Sequence, residues 1–338
     1  MIGNPRQDVA IVAIGRNEAE RLKSCLRSAV SRARMVVYVD SGSSDGSPQF
    51  ARSMSCHVVE LDPARPFTAA RARNEGFSCV LEHDPQIPFV QFLDGDCDLT
   101  EGWLEEASSA LREHEDVGVV CGRLRERHPD ATIYNKLYSL EWHQGAGEVR
   151  ATGGNFMVRR EVFQATGGFR ADVIAAEDNE FCVRVRLLGF RILQLNAEMA
   201  GHDVAMTRFG QWWVRSRRTG HAYAQVAGLH GGSQERYFVS DCRKIWLWGF
   251  WLPLLALLLA FPSRGISLLP LALAYALQFV RIYRTGTKRG WPARDASLYS
   301  FFTVLFKFPA LCGLLEYHWR RWRGQGFAII EYKGVHNQ

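Results

Sequence analysis

Two acidic clusters in this 338-residue sequence have the residue types and spacing that bind a metal ion or move a proton. The first is Asp94 and Asp96, a D-x-D arrangement that directly follows the apolar run IPFVQFL. Carboxylates crowded at the end of a strand repel one another unless a cation lies between them, and their oxygens are suited to Mg²⁺ or Mn²⁺. A solvated acidic turn is the alternative, and the position after a buried type of strand disfavours it.

A second pair of acids, Glu177 and Asp178, opens the helical pattern EDNEFCVRVRLLG. A carboxylate within reach of an attacking hydroxyl acts as a general base by accepting its proton. Acids in a first helical turn are also favoured by the helix dipole, and Glu180 with Arg184 forms an i,i+4 pair. The residues alone therefore leave a catalytic and a structural role open for this pair.

Further polar candidates lie after other apolar runs. Asp40 ends the run MVVYVD, and its carboxylate is suited to accept hydrogen bonds from a ribose hydroxyl or a uracil-like base. Asp45, in the turn that follows, is either a ligand or a cap of the next helix. His202 is either a further contact for a metal or diphosphate, or a histidine of the surface or core.

The elements that must position these residues alternate between strands and helices. From Asp8 to about residue 125, short apolar runs such as VAIVAIG are separated by helical patterns such as EAERLKSCLRSAV. Strands joined in this way imply crossover connections and a mainly parallel sheet, as in nucleotide-binding α/β folds. Ligands of such sheets bind outside the carboxyl ends of the strands, which is where Asp40 and Asp94 fall. The polar residues are therefore predicted to converge at one edge of the sheet.

Five segments, taken in order, resemble those of the family 2 glycosyltransferases, which have a GT-A fold: AIGRNEAERL, YVDSGSSDGS, AARARNEGF, FLDGDCD and AAEDNEF. The resemblance runs from about Ala10 to Leu195 and depends on order and spacing more than on any one motif. It implies a mainly parallel mixed α/β sheet and an enzyme that uses a nucleotide-diphosphate sugar and a divalent metal.

The resemblance also implies roles for individual residues. An ordinary polar helix face is the alternative for the Ala-Arg-Asn segment, whose members would line the nucleotide and sugar pocket. The predicted set is Asp178 as general base with Glu177 beside it; Asp94 and Asp96, with His202, as metal ligands; and Asp40, Asp45, Arg73, Asn74, Asp94, Asp96, Arg215 and Arg218 for the donor.

Two further segments qualify the resemblance. TGGNFMVRR, residues 152–160, resembles the acceptor-side strand of the family, although a structural turn explains its glycines almost as well. GQWWVRSRRTG only loosely resembles the Q-x-x-R-W element of membrane polysaccharide synthases, because Gln211 and Arg215 are four apart and no Trp follows the Arg. Processive synthesis is therefore disfavoured.

The composition changes beyond residue 240. Two nearly uncharged runs, 245–261 and 266–280, are separated only by PSRG, and each is near the lower limit for crossing a bilayer. Tryptophans and a tyrosine lie around them, and basic residues flank both outer ends, so the sequence predicts a transmembrane hairpin in 241–296 with both flanks in the cytoplasm. Buried helices of a soluble domain are the alternative. The catalytic region would then be 1–240, facing the cytoplasm.

A third apolar stretch, 297–315, carries Lys307 and Pro309 near its middle, where a spanning helix tolerates a charge poorly. After Pro309, one helical face holds apolar residues and the other carries arginines, which is the pattern of a basic interfacial helix. We therefore predict that 297–338 forms an interfacial amphipathic helix, lying in the membrane plane rather than crossing as a third span, and a cytoplasmic tail. The apolar face consists of Leu311, Leu314, Leu315, Trp319 and Trp322.

Composition limits the remaining classes of function. With 47% hydrophobic residues the chain is neither disordered nor fibrous, and its net charge of +6 is modest. The eight cysteines have no paired spacing and are predicted to be reduced thiols of a cytoplasmic domain. The basic residues cluster beside apolar spans, which favours anionic lipid over nucleic acid as the partner.

The predicted function is inverting transfer of a sugar from a nucleotide-diphosphate sugar to a lipid-linked acceptor at the cytoplasmic (inner) membrane, in exopolysaccharide or surface-glycan biosynthesis. The nearest alternative is transfer directly onto polyprenyl phosphate. A catalytically inactive membrane scaffold with the same fold is the alternative from another class, and it is disfavoured because no acid of the two clusters is missing.

Overall fold

The computed structural model describes residues 5–142 and 145–325, apart from the side chains of Pro5 and Arg6. Within these residues the chain forms two units. The first unit extends to His128 and includes Glu141–Val173 and Glu177–Val204. The second unit comprises Pro129–Leu140, Ile174–Ala176 and the chain from Ala205.

One sheet of nine strands organises the described part of the first unit. In chain order the strands are β1 (Val9–Gly15), β2 (Met35–Asp40), β3 (His57–Glu60), β4 (Phe89–Asp94), β5 (Cys97–Leu99), β6 (Val117–Glu126), β7 (Gly147–Glu148), β8 (Phe156–Arg159) and β9 (Arg191–His202). They lie side by side in the order β3-β2-β1-β4-β8-β6-β9-β5, with β7 paired to β9.

The sheet is mixed, with most strands pointing the same way. Parallel pairing joins β1 to β2 and β4, β2 to β3, and β6 to β9. Antiparallel pairing joins β8 to β4 and β6, and joins β5 and β7 to β9. Because β6 therefore runs in the direction of β4, only β5, β7 and β8 point the other way among the described strands. The predicted mainly parallel mixed sheet is confirmed.

The helices connect these strands and continue beyond them. In chain order they are α1 (Pro5–Asp8), α2 (Glu20–Val30), α3 (Ser47–Ser53), α4 (Ala69–His83), α5 (Trp103–Glu113), α6 (Ile133–Glu141), α7 (Arg160–Thr166), α8 (Glu177–Leu187), α9 (Phe209–His230), α10 (Val239–Trp246), α11 (Leu252–Leu258), α12 (Leu268–Lys288), α13 (Ala293–Leu305) and α14 (Lys307–Trp322), with a π-helical turn at Leu247–Trp251 between α10 and α11.

Helices cover both faces of the sheet, which explains why the central strands read as continuous apolar runs. Side chains of α2, α3 and α5 pack in one core cluster, with Leu26 and Leu104 fully or almost fully buried. Side chains of α4, α7 and α8 pack in a second cluster, with Val80 and Phe181 completely buried.

Three central strands end at the same edge of the sheet. In the strand register Gly15 of β1 lies opposite Asp40 of β2, and Ile14 of β1 lies opposite Asp94 of β4. The acids that end β2 and β4 therefore flank the end of β1, as the alternation of strands and helices predicts.

In the second unit α9 and α14 approach closely because glycines face carbonyl groups at their contact. A Cβ on Gly220 would lie 2.0 Å from the Ala310 oxygen, and one on Gly313 would lie 1.8 Å from the Arg217 oxygen. An Arg217–Glu316 ion pair of 2.6 Å joins the same two helices. Any larger side chain at either glycine would force the helices apart.

This packing corrects one prediction about α14. The sequence predicts Leu311 and Leu314 on the membrane-facing side of α14, but they are 9% and 0% exposed, in a cluster with Ala224 of α9. Trp319 and Trp322 of the same side are 49% and 81% exposed. The apolar face of α14 is thus divided between contact with α9 and open surface.

The predicted hairpin region contains two helical limbs, one formed by 239–258 and the other by α12, joined by residues 259–267. Among the described residues one helical stretch, Ala293–Trp322, is long and apolar enough to cross a membrane, judged by length and composition only. It is the stretch for which the sequence favours in-plane association. Membrane insertion of the hairpin stays a prediction.

Candidate active site

The D-x-D turn is held against the end of β1. The Gly95 N–H donates to the Ile14 carbonyl at 2.8 Å, and the Asp94 N–H donates to the Asn155 side-chain oxygen at 2.7 Å. Asp96 is 3% exposed, and β5 begins at the next residue. The turn that carries both acids is therefore fixed at the sheet edge.

Arg73 of α4 joins the two acidic clusters. Its guanidinium donates to Asp94 Oδ1 at 2.8 Å and to Glu177 Oε1 at 2.7 Å, and it lies over the Phe169 ring. The side chain is only 3% exposed. Burial acts to lower the pKa of Arg73, but the charges of Asp94 and Glu177 outweigh it and raise that pKa, so the guanidinium stays charged.

Gly154 makes room for this bridge. A Cβ at that position would lie 2.0 Å from Arg73 Nη2 and 3.2 Å from Asp94 Oδ2, whereas nothing lies within 4 Å of a Cβ on Gly153. Asn155 follows, and its amide donates to Asp94 Oδ2 at 3.2 Å. The segment predicted as the acceptor-side strand therefore also contributes to holding Asp94.

Asp178 has the environment of a proton acceptor. Burial, and next the negative charge of Glu177, raise its pKa from an ordinary value of 3.8 to about 6. Its Oδ1 accepts from the Asn179 N–H at 2.7 Å and from the Asn179 side-chain amide at 2.9 Å. A carboxylate with a raised pKa is a stronger base than an ordinary aspartate and remains ionised near neutral pH.

A group of possible metal ligands lies beside the D-x-D turn. Within residues 5–142 and 145–325, the group close enough to share one ion consists of Asp96, Cys97 and His202, whose ligand atoms lie within 4.8 Å of one another. Asp96 Oδ1 and His202 Nε2 are 3.5 Å apart, and His202 Nδ1 lies 4.0 Å from Glu126 Oε2. The structure therefore brings Asp96 and His202 together, and metal binding by them stays a prediction.

Asp94 is not a member of this group, contrary to the prediction of one shared Asp94–Asp96 site. Its two oxygens face Arg73 and Asn155 instead, which accounts for the difference. Asp98, the third acid of the turn, forms an ion pair with Arg127. Asp94 as a metal ligand stays a prediction that requires its carboxylate to turn.

Asp40 and Asp45 organise the loops around the end of β2. Asp40 is 2% exposed and accepts from the N–H groups of Gly42 at 2.9 Å and Ser43 at 2.7 Å. Asp45 accepts from the Ala19 N–H at 2.8 Å and from the Ser47 hydroxyl at 2.6 Å. These contacts give both carboxylates a structural role, and nucleotide binding by them stays a prediction.

The other predicted donor ligands have contacts of their own. The Asn74 amide donates to the Phe169 carbonyl and accepts from the Phe169 N–H, both at 2.8 Å, so it pins the loop after α7. Arg215 and Arg218 lie in the second unit. Arg215 lies over the Tyr138 ring at 4.0 Å and Arg218 donates to the Ile174 carbonyl at 3.2 Å.

Sequence reasoning missed a cavity in the first unit. It has a volume of about 260 Å³ and combines apolar side chains with amides. The residue next to the predicted base, Asn179, contributes to its wall, and Trp142 contacts the His202 ring edge-on at 4.8 Å. The TGGN segment was the available signal, because Thr152, Gly153 and Asn155 line the cavity. The remaining lining includes Leu124, Trp142, Gln194 and Met199.

Comparison with known proteins shows which proteins this chain is similar to. Residues 10–167 match the family model of glycosyl transferase family 2. Glycosyltransferase AglE of Haloferax volcanii is 25% identical over 243 residues, covering 68% of this chain and 77% of AglE. The O-antigen chain rhamnosyltransferase WbaN of Salmonella anatum is 27% identical over 171 residues, covering 46% of this chain and 52% of WbaN.

A solved structure resembles the fold over most of the chain. The mannosyltransferase PcManGT from Pyrobaculum calidifontis, in complex with GDP-Man and Mn²⁺, matches with a TM-score of 0.56 and 18% identity, covering 94% of this chain and 88% of that one. At this identity the likeness concerns the fold alone.

Proposed function

Because the chain belongs to glycosyl transferase family 2 and is a glycosyltransferase with a GT-A fold, we propose that it transfers a sugar, with inversion, from a nucleotide-diphosphate sugar to a lipid-linked acceptor at the inner membrane. The Arg73 bridge is the observation that carries the proposal. One buried guanidinium contacts both Asp94 and Glu177, so the donor-side and acceptor-side acids belong to one site.

Asp178 is the general base in this proposal. The acceptor hydroxyl gives its proton to the Asp178 carboxylate while its oxygen attacks the anomeric carbon of the donor sugar. The bond from that carbon to the diphosphate oxygen breaks on the opposite face, and the diphosphate leaves with the bonding electrons. A single displacement of this kind inverts the anomeric configuration.

The residues beside the D-x-D turn fit a divalent cation, Mg²⁺ or Mn²⁺. Carboxylate oxygens are the ligands that such ions prefer, and the imidazole of His202 would be a weaker additional ligand. The buried Nδ1 of His202 lies near Glu126, which would orient the ring. Asp96 and His202 would hold the ion, with Asp94 as a further ligand once its carboxylate turns. When bound, the ion supplies positive charge that stabilises the departing diphosphate.

Arg73 acts as a positioning residue. It holds Glu177 and Asp94 at hydrogen-bond distance, and its charge favours the ionised form of Asp178 without cancelling the larger effects that raise its pKa. Arg73 therefore keeps the acidic pair that contains the base at a fixed position relative to Asp94.

Exposed apolar residues support the membrane part of the proposal. In the two limbs and their connection, Leu257, Phe261, Leu269 and Leu277 are 63%, 95%, 68% and 61% exposed. Large apolar side chains exposed to this extent are costly in water and are typical of segments that contact lipid or another protein. Insertion would confine the enzyme to the plane in which a lipid-linked acceptor diffuses, with the catalytic unit in the cytoplasm.

The test is a panel of nucleotide sugars incubated with membranes that contain the enzyme and Mn²⁺ or Mg²⁺, followed by mass spectrometry of the extracted lipids. Asp178→Asn is the inactive variant, and Asp116→Asn, an exposed acid paired with Arg191, is the matched control. A new lipid-linked sugar formed by wild type and control but not by Asp178→Asn supports the proposal. A product that is a single sugar on a monophosphate lipid would favour polyprenyl phosphate as the acceptor, and glycosylation of soluble acceptors alone would refute the lipid-linked acceptor.

A further inference from the structure

The D-x-D turn brings a thiol into the candidate metal site, and the proposed transfer reaction gives this thiol no role. Cys97 lies directly opposite His202 in the antiparallel β5–β9 pair. Side chains of directly opposed residues are neighbours on one face of a sheet. Cys97 is completely buried, and its Sγ lies 3.6 Å from Asp96 Oδ1. Three different ligand atoms, oxygen, sulfur and nitrogen, therefore converge.

The spacing of these atoms distinguishes between kinds of ion. In a tetrahedral zinc site, bonds of about 2.1 Å to oxygen or nitrogen and about 2.3 Å to sulfur place neighbouring ligands about 3.4 to 3.6 Å apart. An octahedral Mg²⁺ site, with bonds of about 2.0 to 2.1 Å, requires neighbours only about 2.9 Å apart. The observed separations are 3.5 Å for Asp96 Oδ1 to His202 Nε2 and 3.6 Å for Asp96 Oδ1 to Cys97 Sγ. Both separations fit the tetrahedral arrangement, and all three ligand atoms lie within 4.8 Å of one another.

The surroundings of His202 support the same ligand set. Glu126 is 3% exposed, and it accepts hydrogen bonds from the N–H groups of His128 and Val204. Its Oε2 lies 4.0 Å from His202 Nδ1. A fixed carboxylate on that side favours a proton on Nδ1 and leaves Nε2, which faces Asp96, free to bind a metal.

We propose that Asp96, Cys97 and His202 bind a thiophilic cation of the zinc class, and that this ion inhibits the enzyme by competing with Mg²⁺ or Mn²⁺. On binding, the Cys97 thiol releases its proton to solvent as the sulfur–metal bond forms, with no change of oxidation state. Three protein ligands leave the fourth tetrahedral position for water or a phosphate oxygen. A thiolate and an imidazole both favour Zn²⁺ over Mn²⁺. The competition between zinc and Mg²⁺ or Mn²⁺ rests on the proposed function. The set of zinc ligands does not, because it follows from the positions of the three side chains.

Cobalt titration of the purified full chain in detergent, with thiols reduced, tests the ligand set. Co²⁺ is the spectroscopic probe, because a thiolate bound to it gives a charge-transfer band in the near ultraviolet. We expect one equivalent of Co²⁺ to produce the band and one equivalent of Zn²⁺ to remove it. Cys97→Ser should abolish the band, whereas Cys56→Ser, a buried cysteine outside the group, should retain it.

Several results would overturn the assignment. Wild-type protein that binds no Co²⁺ through a thiolate refutes it without any variant, and so does a band of undiminished intensity in Cys97→Ser. Should Cys97→Ser fail to fold, Asp96→Asn and His202→Gln provide the same test, each expected to weaken Co²⁺ binding about tenfold or more.

Calorimetry separates this inference from the proposed function. Mn²⁺-dependent binding of a nucleotide sugar should fall as Zn²⁺ is added to wild type and should resist Zn²⁺ in Cys97→Ser. A cobalt band without any nucleotide-sugar binding would refute the proposed function and leave the zinc site standing. A cobalt band with Mn²⁺-dependent binding that Zn²⁺ does not affect would refute the competition.

Discussion

Replacing the proposed base by asparagine, Asp178→Asn, should abolish activity and at the same time stabilise the protein at neutral pH. The pKa of Asp178 rises from an ordinary 3.8 to about 6 in the folded chain, because the half-buried carboxyl is desolvated and lies beside the negative charge of Glu177. A group whose pKa is raised by folding stabilises the folded state fully at pH values below its pKa in the unfolded chain. This stabilisation is lost as the pH rises through its pKa in the folded chain. The stability cost of Asp178 therefore grows between about pH 4 and pH 6 and is nearly complete above that range.

The size of the effect follows from the two pKa values. A gap of roughly two pH units corresponds to about 3 kcal/mol, and partial solvent access reduces it, so we expect about 1 to 3 kcal/mol of added stability at pH 8. At pH 4 the difference between wild type and variant should shrink to about 0.5 kcal/mol, because Asp178 is then protonated in the folded state and roughly 40% protonated in the unfolded state. Asparagine keeps the side-chain oxygen that accepts from Asn179. The turnover number should fall about 10²- to 10⁴-fold.

The assay is urea unfolding of the detergent-solubilised enzyme between pH 4 and pH 8, followed by tryptophan fluorescence. Glu180→Gln in the same helix is the control with the opposite expectation, because Glu180 is completely buried and bound by Arg184 at 2.7 Å. An Asp178→Asn protein that is less stable than wild type at pH 8 would refute the reasoning. A difference in unfolding free energy between wild type and variant that stays the same as the pH falls would equally refute the reasoning.

Three further predictions concern the same site. The rate of wild-type transfer should rise with pH and level off above an apparent pKa near 6, measured as kcat with saturating donor; a rate that is flat from pH 5 to pH 8 would exclude Asp178 as the titrating base. Arg73→Met should lower the free energy of unfolding by about 3 to 5 kcal/mol, because Asp94 and Glu177 lose the cation between them; a loss below about 1 kcal/mol in urea unfolding would show that the pairs behave as exposed ones. Gly154→Ala should displace the Arg73 guanidinium, destabilise the protein by about 1 to 3 kcal/mol and weaken donor binding measured by calorimetry, whereas Gly153→Ala, which meets no atom within 4 Å, should do neither.

The sequence predicted the sheet and its polar edge because both depend on local patterns. Apolar runs followed at once by acids indicate strands and their carboxyl ends, and the register that places Asp40 and Asp94 beside the end of β1 follows from parallel pairing. Side-chain partners across the site depend on packing instead. Nothing in the spacing of FLDGDCD indicates that Asp94 faces Arg73 and Asn155 while Asp96 faces His202.

Two other features depend on contacts between distant segments. Cys97 meets His202 only because β5 pairs antiparallel with β9, a pairing that no local pattern encodes. Helical periodicity identified the apolar face of α14, but it cannot distinguish lipid from a neighbouring helix as the covering surface. Leu311 and Leu314 were therefore assigned to the wrong environment.

The glycine contacts between α9 and α14 have a consequence for the order in which the chain folds. Residues 231–306, including both predicted membrane limbs, are synthesised between the two helices, so α9 leaves the ribosome long before its partner exists. Until α14 is complete, the surface of α9 around Gly220 and Ala224 lacks the helix that buries it in the finished protein. Chains that stop before Lys307 would keep that surface open, which makes them candidates for aggregation and for removal by quality control.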